Sequence, residues 1–132
     1  MITYIRATSE LSLTLELSNV LEILANIDAS FGVHFDYKSH TGVAILKGLG
    51  LELGWSTKQR LNTKSRTEAE LMGVSDGLNT ILWLRNFLIA QGYKIGPVKL
   101  FQENISTIKI IKNGKSSSEY RIYNPLSYSI WI

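Results

Sequence analysis

The stretch Ser65–Leu88, SRTEAELMGVSDGLNTILWLRNFL, decides how the rest of the chain is read. Val74, Ile81, Leu84 and Leu88 recur at helical spacing and form one apolar stripe. Ser65 and Glu68 stand in the Ser-x-x-Glu arrangement of a capping box, so a helix is expected to start near Arg66. It should run to about Ala90, where Gln91-Gly92 stops it. Glu70 falls in register with the apolar stripe. A carboxylate on the buried side of a helix is costly to desolvate and is rarely left without a partner, so its position raises the question of what it faces.

Working outward, Leu11–Leu17 reads as an extended segment and Leu21–Ile27 as a strand with mostly buried faces, ended by Asp28. Asp36, Lys38, Ser39 and Gly42 supply turn chemistry before two short strands at about Val43–Leu46 and Leu51–Ser56, joined through Gly48 and Gly50. This is the pattern of an antiparallel three-strand meander. Beyond the long helix, Gly96-Pro97 introduces a strand at Val98–Phe101, and STIKIIKNG (Ser106–Gly114) reads as a short helix closed by Gly114. The order strand, strand, strand, helix, strand, helix is an α/β pattern in which the late strand packs beside the first. The segment KSSSEYRIYNPLSYSIWI, from Lys115 onward, shows neither a helical nor a strand period.

At 132 residues the chain is the size of one domain. Apolar residues make up 45%, which argues against wholesale disorder. No apolar run is long enough for a membrane span, and MITYIRATSE does not have the shape of a signal peptide. The absence of cysteine excludes disulfides, thiolate metal sites and cysteine nucleophiles, and His34 and His40 cannot alone build a typical zinc site. A net charge of +3 leans mildly toward an anionic partner. Composition thus points to a soluble intracellular domain.

Three acids occupy comparable places: Asp28 at the end of the first buried strand, Glu70 in the first turn of the long helix, and Glu103 just after the later strand. Strand ends of open α/β sheets are where ligands gather. If the strands bearing Asp28 and Glu103 are neighbours, Glu70 on a helix packed across them can join the pair. Such a cluster repels itself unless a divalent cation neutralises it, and oxygen ligands suit magnesium or manganese. Equally, Asp28 can be a turn acid, Glu103 a dipole-favoured neighbour of a helix cap, and Glu70 a partner of Lys58 or Arg60.

The residues also carry a resemblance. IDASFGVHFDYKSHTGVAI, GWSTKQ, SRTEAELMGVSDG, ILWLRNFL and LFQENISTIKIIKNGKSSSE together resemble the ribonuclease H domain of copia-type LTR retrotransposon polyproteins. That family is similar in its Asp-Ala on the first strand, Lys-Ser-x-x-Gly hairpin, Trp-Ser-x-Lys-Gln strand, Thr-Glu-Ala-Glu helix start and Trp-Leu-Arg within the helix. MITYIRATSELSLTL resembles the link from the reverse transcriptase, and the likeness extends in order over about residues 1–119. It implies a linker remnant at 1–20, an incomplete ribonuclease H-like domain at 21–119 and an aberrant tail at 120–132. The implied fold is a mixed sheet with a long helix packed on it, lacking the last strand and helix.

By position, Asp28 and Glu70 match metal-binding carboxylates of that family, with Glu68 left to cap the helix. The implied activity is hydrolysis of the RNA strand of an RNA–DNA hybrid by two Mg2+ (or Mn2+) ions about 3.5–4 Å apart. Lys38, Ser39, Lys58, Gln59 and Asn104 are the implied hybrid contacts, through phosphate charge and minor-groove hydroxyls. The implied partners are the hybrid and a reverse transcriptase domain of the same polyprotein, with no membrane. The implied setting is cytoplasmic virus-like particles or the nucleus.

Two departures from the pattern bear on activity. Glu103-Asn104 stands where the family has Asp-Asn, and the extra C–C bond is roughly 1.5 Å long. A misplacement of about 1 Å in a catalytic constellation can cost on the order of a hundredfold. In addition, no Asp follows Asp76, so the family's fourth carboxylate has no counterpart. The text after Ser118 reads as a shifted frame that ends early. The expectation is a truncated hybrid ribonuclease with weak or no cleavage, or a remnant serving as a nucleic-acid-binding or interaction module.

Overall fold

The computed structural model describes residues 2–12, 22–48, 50–113, 120–124 and 128–131. A short helix, α1 (Ile2–Ala7), precedes β1 (Ile23–Ser30), β2 (His40–Lys47), β3 (Gly50–Lys58), α2 (Arg66–Ala90), β4 (Val98–Phe101), α3 (Ile105–Asn113), β5 (Tyr120–Asn124) and β6 (Tyr128–Trp131). The strands lie side by side in the order β3-β2-β1-β4-β5-β6. β1, β2 and β3 form an antiparallel meander, and β4 runs parallel to β1 through the pairs Leu24–Lys99, Ala25–Leu100 and Asn26–Phe101. The chain is therefore α/β, with a mixed sheet and one long helix. Most of the expected segment Leu11–Leu17, together with Leu21 and Gly114, lies outside the described residues.

The first strand obeys a period of two. Ile23, Ala25, Ile27 and Ala29 are buried while Asn26, Asp28 and Ser30 are exposed, so one face of the sheet is core and the other is open. Val43, Ile45, Val98 and Leu100 continue the core from neighbouring strands, and Val74, Ile81, Leu84 and Leu88 of α2 close it. The start of α2 is the expected capping box with one variation. The Ser65 hydroxyl accepts from the Glu68 amide at 3.1 Å, and the Glu68 carboxylate accepts from the Lys64 amide, one residue further out than usual, at 2.7 Å.

Helix α2 sits very close to β1 because it presents glycine there. A Cβ on Gly77 would stand 2.5 Å from Ile27 Cδ1, and one on Gly73 would stand 3.2 Å from Thr41 Cγ2. Close packing leaves little slack to absorb such atoms.

One expectation is corrected. The sheet does not stop at β4, because β5 pairs parallel to it from Val98–Tyr120 to Phe101–Tyr123, and β6 returns antiparallel beside β5. The free edge of β4 offers a row of unpaired backbone groups, and the Tyr120–Tyr123 segment is rich in β-formers. Pro125 and the flanking serines mask that local preference in the sequence.

Replacing Gly77 with valine should destabilise the fold by about 1–3 kcal/mol through overpacking against Ile27. Valine at the open strand position Gly42, where a Cβ meets nothing within 4 Å, should not. Urea unfolding midpoints of the two variants check this.

Candidate functional site

β1 outlasts its parallel neighbour. The pairing with β4 ends at Asn26–Phe101, while β1 continues through Ile27 and Asp28 to Ser30. Past that point the two strands part, and the gap holds the residues with chemistry. Gln102, the first residue after β4, is 1% exposed. Its amide Nε2 donates toward the Ile27 carbonyl at 3.5 Å and the Glu70 carboxylate at 3.4 Å, and its Oε1 accepts from the Asn104 amide at 2.9 Å. A side chain thus takes over where the ladder ends and ties β1, α2 and the start of α3 together.

Glu70 is 1% exposed. Besides Gln102 it has Arg66 one helical turn away, with Nε 4.0 Å from Oε1. Burial first, and the charge of Asp28 second, push its carboxyl above the ordinary glutamate value of 4.5. Gln102, Arg66 and the Ala29 backbone amide oppose that shift without cancelling it. Neither Lys58 nor Arg60 is its partner: Lys58 pairs with Asp36 at 3.0 Å. Glu70 faces Ala29, Gln102 and the field of Asp28, which answers the question raised by its place on the helix.

Asp28 and Glu103 are both exposed and both line a concavity of about 340 Å³ on the open face of the sheet, with Asn26, Gly42, Ala44 and Phe101. Asp28 Oδ1 also accepts from the Ala29 amide at 2.9 Å. The structure therefore brings Asp28 to Glu103 across the concavity and Asp28 to Glu70 by charge. Among the described residues, no three His, Cys, Asp or Glu side chains gather closely enough to hold an ion by themselves.

The remaining candidates fall into different places. Lys38 and Lys58 are partly exposed and share Asp36, at 3.8 and 3.0 Å, an arrangement that holds Asp36 below the ordinary aspartate value. Ser39 is wholly buried: its hydroxyl meets that of Thr63 at 2.7 Å and accepts from the Gly32 amide at 3.2 Å. Gln59 is 1% exposed; its amide donates to Thr41 Oγ1 and to the Ala69 carbonyl, each at 2.8 Å, and its Oε1 has no partner. These two residues clamp the hairpin to the start of α2 and lie beneath the surface. Asn104 caps α3, accepting from the Thr107 amide at 3.0 Å. Gln102 was missed in the sequence. The signal was there, since a polar residue next to Phe101 continues the buried alternation of Val98 and Leu100.

A scan against protein-family models finds no match for this chain. No helix among the described residues is long and apolar enough to cross a membrane.

The raised carboxyl of Glu70 has a consequence for stability. A folded-state value above the unfolded one means that the native state holds the proton longer, so stability falls as pH rises from the unfolded value of about 4.5 through the folded value. Glu70→Gln should flatten that decline, leaving the variant's urea midpoint less sensitive to pH above 4.5 than the wild type's. Parallel declines in the two proteins would show that the burial of Glu70 carries no such charge penalty.

Proposed function

We propose that this chain is a ribonuclease H-type domain of retrotransposon origin, built to hydrolyse the RNA strand of RNA–DNA hybrids and retaining at most weak cleavage. The observation that carries this reading is the placement of Glu70, buried under the end of β1, near Asp28, which opens with Glu103 onto the concavity. The motif resemblance places the family's carboxylates at two of these three positions. The fold class agrees, with a three-strand meander, a parallel fourth strand and a long helix across them.

The residues suit a divalent ion in donor chemistry. They are hard oxygen ligands, and a cation nearby would favour the charged form of Glu70 against the burial and the Asp28 charge that raise its carboxyl. Asp28 and Glu103 would hold such an ion from the concavity and Glu70 from the helix side, with water and a substrate phosphate completing the shell. A bound Mg2+ or Mn2+ supplies activation of water and charge stabilisation at the leaving oxygen. The chain's own contribution is positioning. Gln102 fixes Glu70 against β1, Asn104 sets the start of α3 beside Glu103, and Lys38 and Lys58 carry positive charge for a phosphate backbone near the β1–β2 loop.

The second reading, a binding module without cleavage, is favoured by the longer side chain of Glu103. The two readings separate in one assay. Purified chain, shown folded by circular dichroism, is incubated with end-labelled RNA–DNA hybrid in magnesium and then in manganese. Cleavage lost in both Asp28→Asn and Glu70→Gln supports the nuclease; salt-dependent binding without cleavage, unchanged by Asp28→Asn, supports the module.

A further inference from the structure

The open face of the sheet carries a second constellation, on residues that the carboxylate site does not use. His40 opens β2, and its Nε2 lies 2.6 Å from the Ser56 hydroxyl of β3. Its other ring nitrogen, Nδ1, lies 2.9 Å from His34 Nε2. The three groups form one continuous chain: hydroxyl, imidazole, imidazole. Two opposite tautomer assignments satisfy every link, and in one of them Ser56 donates its proton to His40 Nε2 while His40 Nδ1–H donates to His34 Nε2. That is the geometry of a nucleophile within reach of a base that a third group orients.

The loop that delivers His34 is held in place. Gly32 adopts φ +61° and Tyr37 φ +57°. The His34 amide donates to the Lys38 carbonyl at 3.2 Å, and the Tyr37 amide donates to the His34 carbonyl at 2.8 Å. Ser39 anchors the loop from inside by accepting from the Gly32 amide. Ser56 itself is exposed. It stands opposite Gly42 in the ladder, and Gly42 stands opposite Asp28. With no side chain between them, Gly42 leaves an open floor from the hydroxyl to the concavity, a span of about two strand spacings, roughly 10 Å.

We propose that Ser56 is an activated nucleophile, with His40 as its general base and His34 orienting His40, and that it accepts acyl groups from carboxylic esters lying over Gly42. In the step, Ser56 Oγ bonds to the ester carbonyl carbon and its proton passes to His40 Nε2. The C–O bond to the alcohol breaks, and the alcohol leaves with that proton. Water then releases the acid by the reverse transfer and restores the hydroxyl. The proposal does not depend on the nuclease reading.

The test is covalent labelling of the full chain with a small alkyl fluorophosphonate. The Ser56 oxygen bonds to phosphorus as the P–F bond breaks, fluoride leaves and the proton goes to His40. Mass spectrometry should place one adduct on Ser56, with none on Ser56→Ala. His40→Gln should slow labelling by about a hundredfold or more, the scale of general-base catalysis, and His34→Ala should slow it less. Circular dichroism melts establish that each variant is folded. No adduct, adducts scattered over many serines, or labelling of Ser56 at the same rate in folded His40→Gln would each overturn the proposal.

Discussion

Everything at the site depends on how near α2 can come to β1. Gly73 and Gly77 let the helix lie against Thr41 and Ile27 with no side chain between. That closeness drops Glu70, one turn earlier, into the space under the end of β1. An intervening methyl group would push the helix outward and loosen the packing that buries Glu70. The same contact seals Val74 and Ile81 into the core. The geometry that stabilises the domain and the geometry that crowds two carboxylates are therefore one feature, and neither can be altered alone.

The crowding is tolerable because of how the strands end. β1 and β4 part after Asn26 and Phe101, and in that gap backbone groups would be left without partners. Gln102 fills the role with one amide, reaching toward the Ile27 carbonyl and Glu70 while accepting from the Asn104 amide. Asn104 in turn caps α3. A chain of polar contacts thus runs from helix to strand to helix. Such networks are stiff when every member is satisfied, which suits a place where charged groups must keep their spacing.

Much of this was legible in the sequence, for identifiable reasons. The helix from Arg66 to Ala90 was readable because its capping residues, apolar stripe and terminating Gly92 agree. Val98–Phe101 was equally clear, being a short apolar run introduced by Gly-Pro. The meander was found but its strands were read short at their ends, since His40 and Lys58 are polar residues without a strand preference. The site was legible as residue types and illegible as geometry. Nothing in the spacing of Ser39 or Gln59 tells that tertiary packing buries both, because burial of a polar side chain depends on distant partners such as Thr63 and Ala69. The pairing of Tyr120–Asn124 with β4 was hidden for a similar reason: a strand on an open edge answers to its neighbour's backbone more than to its own pattern.

Gly42 carries a different kind of information from Gly73 and Gly77. Those two are glycines because a neighbour occupies the space; at Gly42 a Cβ would meet nothing within 4 Å. Its backbone is not among the positive-φ positions either. Glycine in a strand interior weakens the strand, so the domain accepts a loss of rigidity at Gly42 that neither sterics nor backbone shape demands. The hollow beside Asp28 is in that sense carved by omission, and its dimensions can drift by single substitutions without disturbing the framework beneath. A recess of this kind changes what it admits more readily than how it is built.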